Sequence, residues 1–488
     1  MELYAFSPLQ ICTTVAALCA MLFCCFQALV ERYRLEKFPL ATLVDQDPLD
    51  SWYQDGNRLV EENLRKFSGP FQIRTGTGPK LVIRNCCTEE FAKHPSLSVA
   101  EALRSDSFAD YPGFEAAKVS VHSQVVRNTL LRRVTPALDS MREQLVADAE
   151  LSIRENFGES SQWKTAAVQP LILDIVAKIS SRPFVGGRLC RNPRWLDIQK
   201  QYATLSFIAA SELRKCRAIF RPIRHWTLPS CKSLRRLVFD ARLLYAEEMK
   251  TRGPYTRASA SDTIAWIEEE SRSSNVYVDV VAAQLQLSMV AIQTTSQVLF
   301  YALLHACEHP EFVAPLREEA VDVVRRYGWS KAALYDLKLM DCFLKESLRV
   351  TQGQLAMARV ATENISFSDG TTVPKGSGCV LEANYKHEDI FSLPDRFDPS
   401  RYARLRGNSG EKQTWQYVSS SSLDLGFGYG HHSCPGKFFA NNVVKIAFAR
   451  LLIAYDWSLH LSDENHAPEA ESVNVTGPEP RLRFKCRT

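Results

Sequence analysis

One cysteine lies in a sequence environment that suits metal chemistry. Residues 426–440 read GFGYGHHSCPGKFFA, so Cys434 follows a glycine-rich stretch and precedes an apolar segment with helical character. Pro435 suits the first turn of a helix, which predicts that Cys434 lies at a helix N-terminus. The partial positive charge there favours a thiolate, the form of cysteine that binds metals. The glycines predict a tight loop whose backbone approaches a flat ligand closely.

Two polar motifs precede this loop. Glu346 and Arg349 lie in the helical pattern LYDLKLMDCFLKESLRV, where their i, i+3 spacing puts both side chains on one face. The segment FSLPDRFDPSRY follows and contains PDRF at 394–397. A solvated surface pair is the ordinary explanation for such a Glu and Arg when they occur alone.

A third polar motif, AIQTT at 291–295, lies within the long apolar stretch 279–307. A threonine inside a helix usually bonds to the carbonyl four residues before it or packs against a neighbour. The motif therefore indicates a functional site only in combination with the other motifs in the chain.

Together these motifs resemble the cytochrome P450 family, in which they occur in the same order and at similar spacings. The pattern Phe427-x-x-Gly430-x-x-x-Cys434-x-Gly436 is similar to that family's haem-binding loop. The resemblance covers the chain from about residue 45 and is closest to fungal members of the ent-kaurene-oxidase-like type, with RPIRHWTLPSCKSLRR at 221–236 as a further likeness. It implies haem b as cofactor, with Cys434 as the axial thiolate ligand that favours O–O cleavage at the iron.

The resemblance also implies residues for oxygen activation. Thr294 is the candidate for proton delivery and Thr295 the reserve, while Ala291 leaves room for dioxygen. Gln293 stands where the family usually has an acidic residue, and an amide cannot shuttle a proton as a carboxylate does. Water ordered by Gln293 and Thr294 is therefore the expected relay.

Further residues are implied as haem contacts or as structural residues. Arginines suit the haem propionates because the guanidinium fork matches a carboxylate. Arg132 is the chosen arginine in this part of the chain, and Arg127 and Arg133 remain alternatives to it. His431 remains an alternative to His432. A surface salt bridge is the other explanation for each arginine. The implied cofactor contacts are Phe427, Gly428, Gly430, His432, Gly436, Arg359, Arg132 and Ala291. The implied buried ionic lock behind the haem consists of Glu346, Arg349 and Arg396.

The N-terminus predicts a membrane anchor. Ile11–Val30 contains 20 residues without a charge, about the length that spans a bilayer core of roughly 30 Å. A cleaved signal peptide is the alternative, but it needs a basic start and a shorter apolar core. Arg32, Arg34 and Lys37 follow the apolar run and predict that the C-terminal side is cytosolic. The expected organisation is an anchor at 1–31, a linker at 32–45 and a haem domain at 46–488, held in the endoplasmic reticulum membrane by a single pass.

The rest of the chain predicts a mainly α fold with a minor β part, a single large haem domain of the cytochrome P450 fold behind the N-terminal transmembrane helix. β-like stretches occur near 71–74 and 80–83 and from 359 to 381. The stretch 279–307 is long enough for a second membrane span, but its four glutamines make that expensive in lipid and favour a buried central helix. Helical patterns cover 119–156, 166–181, 195–218, 230–252, 279–307, 310–327, 336–350 and 436–454.

Composition excludes few classes of protein. The formal net charge of +4, without blocks of like charge, argues against nucleic-acid binding. The 14 cysteines have irregular spacings in a long chain, which is typical of a reducing compartment rather than a disulfide framework.

The functional hypothesis from sequence is a haem-thiolate monooxygenase. It would oxidise an apolar secondary metabolite, a terpenoid or related alkaloid, with electrons from NADPH through NADPH-cytochrome P450 reductase and with cytochrome b5 as a possible second donor. Desaturation, dehydration or ring rearrangement is the alternative within the family, and a non-catalytic membrane haem protein is the alternative outside it. The expected pocket stretches are 98–118, 204–216, 286–295 and 350–358, with Gln352, Gln354 and Met357 as candidates for controlling regioselectivity.

Overall fold

The computed structural model describes residues 34–44, 46–122, 124–252, 261–408, 414–460 and 480–487. The predicted membrane anchor at 1–31, and the first residues of the predicted linker, lie outside these ranges. The described residues form many helices and three small sheets, which confirms the predicted mainly α fold with a minor β part.

Helices provide most of the framework, and three of them carry the sequence motifs. We call Val280–Glu308 the central helix, Lys338–Thr351 the ExxR helix and Lys437–Ala454 the cysteine helix. The other α-helices are Pro48–Lys66, Thr88–Lys93, Val99–Asp106, Glu115–His122, Val125–Thr129, Thr135–Phe157, Val168–Leu189, Pro193–Lys215, Arg221–Thr227, Pro229–Thr251, Thr263–Ser274, Val313–Tyr327, Lys331–Asp336 and Ser400–Asn408.

The strands form three separate sheets. The largest has the order β1-β2-β8-β5-β3, with β2 and β8 parallel and the other pairs antiparallel. A second sheet has the order β4-β10-β9, and β6 and β7 form a hairpin. The strands are β1 (Phe71–Thr75), β2 (Gly78–Ile83), β3 (Leu97–Ser98), β4 (Lys164–Ala167), β5 (Leu355–Ala361), β6 (Ile365–Ser366), β7 (Thr372–Val373), β8 (Gly378–Glu382), β9 (Tyr455–Leu459) and β10 (Arg481–Cys486).

The central helix packs inside the protein. Among the described residues, this one helix is long and apolar enough to cross a membrane, and more than half of its most apolar window is buried in the protein. Its Gln284 is fully buried and its side-chain amide donates to the Thr263 hydroxyl at 3.0 Å. Ser288, one turn later, accepts a hydrogen bond from Gln199 at 3.0 Å. These polar groups are satisfied by neighbouring helices, as a buried core helix requires.

The helical pattern predicted at 119–156 is interrupted. A π-helical segment, Leu130–Val134, separates the short helix Val125–Thr129 from Thr135–Phe157. Pro136 lies in the first turn of the latter helix and cannot donate a backbone hydrogen bond. The Thr135 hydroxyl instead donates to the Leu130 carbonyl at 2.9 Å. The interruption changes the direction of the side chains that precede it relative to a continuous helix.

Candidate functional site

The cysteine loop is a compact turn just before the cysteine helix. Gly428 and Gly430 have φ values of +68° and +69°, which glycine adopts without strain. The Cys434 amide donates to the Phe427 carbonyl at 2.7 Å, and the Ser433 amide donates to the Gly430 carbonyl at 3.2 Å. The loop backbone is therefore fixed before any ligand binds.

Glycine at 430 serves the packing of the loop against the protein. A Cβ at this position would lie 3.0 Å from the Ala92 carbonyl oxygen in the helix Thr88–Lys93. This packing excludes a side chain at 430, and the approach of the Gly430 backbone to a flat ligand stays a prediction. A Cβ on Gly436 would meet no atom of the described residues within 4 Å, so Gly436 leaves more space on its Cα side than the other glycines of the loop do.

The Cys434 thiol is partly buried at the start of the cysteine helix. Burial raises its pKa, and the opposing effects of the Gly436 amide, Lys437 and Arg127 do not reverse the direction. The Gly436 amide at the helix terminus and the two nearby cations thus act in the direction that the sequence predicts, against the effect of burial. A coordinated metal ion produces a thiolate outright, because coordination displaces the thiol proton.

Phe427 connects the cysteine loop to the core through its aromatic ring. Its ring meets the Tyr417 ring edge-on, with 5.4 Å between the ring centroids. The Tyr417 amide in turn donates to Asp341 of the ExxR helix at 2.9 Å. The loop is thus connected to a buried charge cluster in which Asp341 also accepts a hydrogen bond from Lys445 of the cysteine helix at 2.6 Å.

Arg359 on β5 is a buried cation without a carboxylate partner in the described ranges. Its residue exposure is 5%, and the hydrogen bond that its guanidinium makes is to its own neighbour, the Ala358 carbonyl, at 2.8 Å. Burial lowers its pKa to about 10. A buried charge of this kind normally requires an anion, which a haem propionate would supply.

The structure places the candidate propionate arginines differently from one another. Arg132, the residue chosen from sequence, has a side chain that is 69% exposed and lies 3.6 Å from Glu270, which is the surface salt bridge named as the other explanation; its contact with the cofactor stays a prediction. Arg127 instead donates to the carbonyls of His431 and Ser433 in the cysteine loop, at 2.6 and 3.2 Å. Arg132 lies within the π-helical segment Leu130–Val134 and Arg127 lies before it, and the effect of this segment on side-chain direction cannot be read from a helical period.

His432 lies near both cations of the site. Its pKa is lowered by partial withdrawal from water and by the charges of Arg359, Arg127 and His431. A neutral imidazole at this position can donate a hydrogen bond to a carboxylate through its ring N–H.

The Glu346 cluster forms the ionic lock, with one correction. Arg349 donates two hydrogen bonds to Glu346, at 2.8 and 2.9 Å, and Glu346 is fully buried. The third member is Arg401, whose Nε donates to Glu346 at 3.0 Å. Arg396 is exposed and contributes only its carbonyl, which accepts from Arg401 at 2.8 Å. The sequence prediction of Arg396 is therefore wrong, because the turn before helix Ser400–Asn408 directs the later arginine inward.

The AIQTT motif presents two different faces of the central helix. Thr294 is exposed, and its hydroxyl donates to the Val290 carbonyl at 2.6 Å. Thr295 is 4% exposed and lies on the packed side, which argues against it as a reserve catalytic residue. Ala291 is half-buried beside them. The Gln293 side-chain oxygen is buried and accepts no hydrogen bond from the described residues.

The four stretches predicted to line a pocket come from neighbouring elements. The central helix packs against Glu115–His122 and Pro193–Lys215, and Val99–Asp106 packs against both Glu115–His122 and β5. Met357 has φ +56° where the β5–β8 pairing is irregular, a device that redirects side chains near sites. Gln352 differs: it lies against the cysteine loop, 3.7 Å from the position of a Cβ on Gly426.

A cavity of about 680 Å³ lies elsewhere, between the cysteine helix and the segments 135–142 and 331–341. Its lining includes Phe438, Asn442 and Lys445 but neither Thr294 nor Cys434. It is therefore distinct from the site that the motifs define.

The comparisons with known proteins agree with the class that this fold and site indicate. A family model described as Cytochrome P450 matches residues 113–485. The chain is 36% identical to Cytochrome P450 monooxygenase bsc2 of Alternaria brassicicola, over 92% of this chain and 89% of that relative. It is 34% identical to bsc11 of the same organism over 90% and 87%, and 33% identical to adrA of Penicillium rubens over 84% and 82%. The chain belongs to the cytochrome P450 family, and it is a monooxygenase of the kind found in these fungi.

The residues present fit the family's cofactor, haem b. A thiol at a helix N-terminus suits the iron, and a buried guanidinium that lacks a carboxylate among the described residues suits a propionate. Arg127, which donates to a loop carbonyl, and His432, whose pKa Arg359 and Arg127 lower, add hydrogen-bond donors near the loop. These donors thus suit haem b, which carries an iron ion and two negatively charged propionates.

Proposed function

We propose that this monooxygenase hydroxylates or otherwise oxidises an apolar secondary metabolite, a terpenoid or a related alkaloid. Dioxygen is the oxidant, and NADPH provides the electrons through NADPH-cytochrome P450 reductase, with cytochrome b5 as an optional second donor. The apolar composition of the stretches around the central helix supports an apolar substrate. The fungal relatives support a role in specialised metabolism, where many enzymes of the ent-kaurene-oxidase-like type act.

One observation carries the proposal: the central helix, which exposes Thr294, packs against the cysteine helix, which follows Cys434, while the uncompensated cation of Arg359 lies close enough to His432 of the cysteine loop to lower its pKa. In this proposal the Cys434 sulfur would bind the haem iron, and Arg359, Arg127 and His432 would bind the propionates. Bound haem b supplies the oxygen activation and the electron transfer. The protein supplies the ligand, the proton path and the substrate cavity.

Thr294 is proposed to deliver protons. Its hydroxyl donates to the Val290 carbonyl, so its oxygen keeps lone pairs for a water molecule on the exposed side. The buried Gln293 oxygen, which has no donor among the described residues, is an acceptor for a second water. A relay of waters then replaces the acidic residue that the family usually has.

We further propose the membrane organisation predicted from sequence. Residues 1–31 would anchor the chain in the endoplasmic reticulum membrane by a single pass, 32–45 would act as a linker, and 46–488 would form the haem domain on the cytosolic side. The apolar run and the basic residues that follow it support this arrangement.

The test uses the full-length haem-loaded enzyme with reductase, NADPH, labelled dioxygen and a panel of terpenoid and alkaloid scaffolds. Mass spectrometry is expected to find products that carry the label. Products that all lack the label would contradict hydroxylation. Reduced, carbon-monoxide-bound enzyme should show the Soret band of thiolate ligation, which Cys434→Ala should lose and Cys486→Ala should retain.

One alternative has a specific observation in its favour. Gln293 stands in place of a carboxylate and cannot shuttle a proton as an acid does, which leaves desaturation, dehydration or ring rearrangement open as the net reaction. Consumption of NADPH with unlabelled, desaturated or rearranged products would support that alternative. A non-catalytic haem protein would consume no NADPH with any scaffold.

A further inference from the structure

We propose that Cys86, Cys87 and Asp369 form a binding site for a soft divalent cation of the zinc class, separate from the haem site. The two sulfur atoms and a carboxylate oxygen all lie within 4.8 Å of one another. These are the ligand types that zinc prefers, whereas magnesium and calcium prefer oxygen ligands alone.

The spacing of the sulfur atoms fits tetrahedral coordination. Zinc–sulfur bonds of about 2.3 Å at tetrahedral angles separate two sulfurs by about 3.8 Å. The Cys86 and Cys87 Sγ atoms are 3.8 Å apart. Three protein ligands leave a fourth position for water, and Cys86 and Asp369 are exposed, so a cation has access from solvent.

The surrounding backbone holds the two cysteines in place. They belong to the 3₁₀ turn Asn85–Cys87 at the end of β2. The Asn85 amide donates to Glu382 at 3.1 Å, and its side chain donates to Asn384 at 2.7 Å. These bonds attach the turn to β8 and the segment after it, and they do not involve either thiol.

Asp369 is held independently in the turn of the β6–β7 hairpin. Thr371 donates to both of its carboxylate oxygens, from the backbone at 2.8 Å and from the hydroxyl at 2.9 Å. Gly370, at φ +86°, allows the tight turn. Each carboxylate oxygen retains a lone pair for a cation. Among the described residues, no lysine or arginine forms an ion pair with this carboxylate.

A cation here would connect two segments that support the haem site. The hairpin contacts the helix Thr88–Lys93, since the Ser368 amide donates to Glu90 at 3.0 Å. From the same helix, Glu89 accepts from the Tyr429 hydroxyl at 2.7 Å, and the Ala92 carbonyl lies against Gly430. The site would therefore stabilise the wall behind the cysteine loop without taking part in oxygen chemistry.

The test measures zinc binding to full-length, haem-loaded enzyme after removal of metals and in the presence of a phosphine reductant. Zinc is titrated against a chromophoric chelator, and cadmium is used separately for its thiolate charge-transfer absorption. We expect one tight equivalent in the wild type, accompanied by a rise in the melting temperature. Cys86→Ser and Asp369→Asn replace exposed ligands and should lose the equivalent, the cadmium band or its intensity, and the thermal shift.

Cys216→Ser is the matched control, because Cys216 is a partly buried thiol far from this cluster in sequence that bonds to the Glu212 carbonyl. It should bind zinc as the wild type does. Carbon-monoxide spectra of all variants establish that each is folded around haem. The proposal is overturned if the wild type binds no more zinc than Cys86→Ser does, or if Cys216→Ser loses the same equivalent.

Discussion

Two buried charged regions of the molecule, the Glu346 cluster and the surroundings of Arg359, differ in how their charges are compensated. In the Glu346 cluster, the carboxylate accepts hydrogen bonds from Arg349, Arg401 and the Asp398 amide. Around Arg359, by contrast, no carboxylate of the described residues pairs with the guanidinium. Both arginine environments are buried, so the difference cannot be explained by solvent.

The difference separates a structural site from a ligand site. A closed cluster satisfies its charges within the chain and gains nothing from a ligand, whereas an open one holds donors in place for an anion that comes from outside. The same contrast holds on the central helix, where Ser288 is bonded to Gln199 while the Gln293 oxygen has no donor among the described residues.

The largest expected effect concerns the closed cluster. Arg401→Ala leaves Glu346 with half of its compensation and should lower the free energy of unfolding by about 3–5 kcal/mol. Arg396→Ala removes an exposed side chain and should change it by less than about 0.5 kcal/mol. Urea unfolding of the haem-loaded protein measures both. Equal losses in the two variants would show that the cluster is not closed in the way described.

A second effect concerns His305 of the central helix, which packs against the ExxR helix beside Glu346. Its ring is buried, lies 2.8 Å from the Ser347 hydroxyl, and has a pKa lowered to about 4 by burial and by His309. The folded protein therefore binds fewer protons than the unfolded chain between pH 6.5 and about 4, so stability should fall as the pH falls through that window.

The size of this pH effect follows from linkage. At about 1.4 kcal/mol per pH unit, the His305 contribution approaches about 3 kcal/mol at pH 4. His305→Gln should flatten the pH dependence of urea unfolding between pH 6.5 and 4. Retention of the full slope in His305→Gln would contradict a closed, neutral environment.

A third effect concerns Thr294, whose proposed role in proton delivery can be tested through catalysis. Removal of a group that delivers protons typically costs about 10²-fold in rate or more, so Thr294→Ala should lower product formation by about this factor while NADPH consumption continues. Thr294→Ser keeps the hydroxyl and should recover most of the activity. Thr295→Ala, on the buried face, should act through stability alone. A normal product yield per NADPH in Thr294→Ala would remove this residue from the proton path.

The smallest effect concerns the binding of the haem propionates. Arg359→Gln removes a charged hydrogen-bond donor, which is worth about 1.5 kcal/mol, so haem should dissociate about tenfold faster. Arg132→Gln changes an exposed arginine and should leave the rate unchanged. Transfer of haem to an excess of apomyoglobin measures both rates. Equal rates in the two variants would mean that Arg359 does not bind a haem propionate.

The motifs that could be predicted from sequence are those whose function depends on local geometry. The Glu346–Arg349 spacing specifies a shared helix face, and the glycine-flanked Cys434 specifies a turn before a helix, whatever surrounds them. The prediction of Arg396 failed because the direction of its side chain depends on a turn, and the direction of Arg132 likewise depends on the π-helical segment that contains it. The signal for Arg401 was present in FDPSRY, but only its position in the folded turn distinguishes it from its neighbour.

The sequence by itself determined the family, the mainly helical fold, the cysteine before its helix and the threonine on the central helix, because local spacing and periodicity encode them. Only the tertiary structure decided which arginines are compensated and which are left open, and that Gly430 serves packing against Ala92. It alone brought Asp369 to the two cysteines at 86 and 87. The physical reason is that the compensation of a charge depends on the distances between residues far apart in the chain, which no local pattern records.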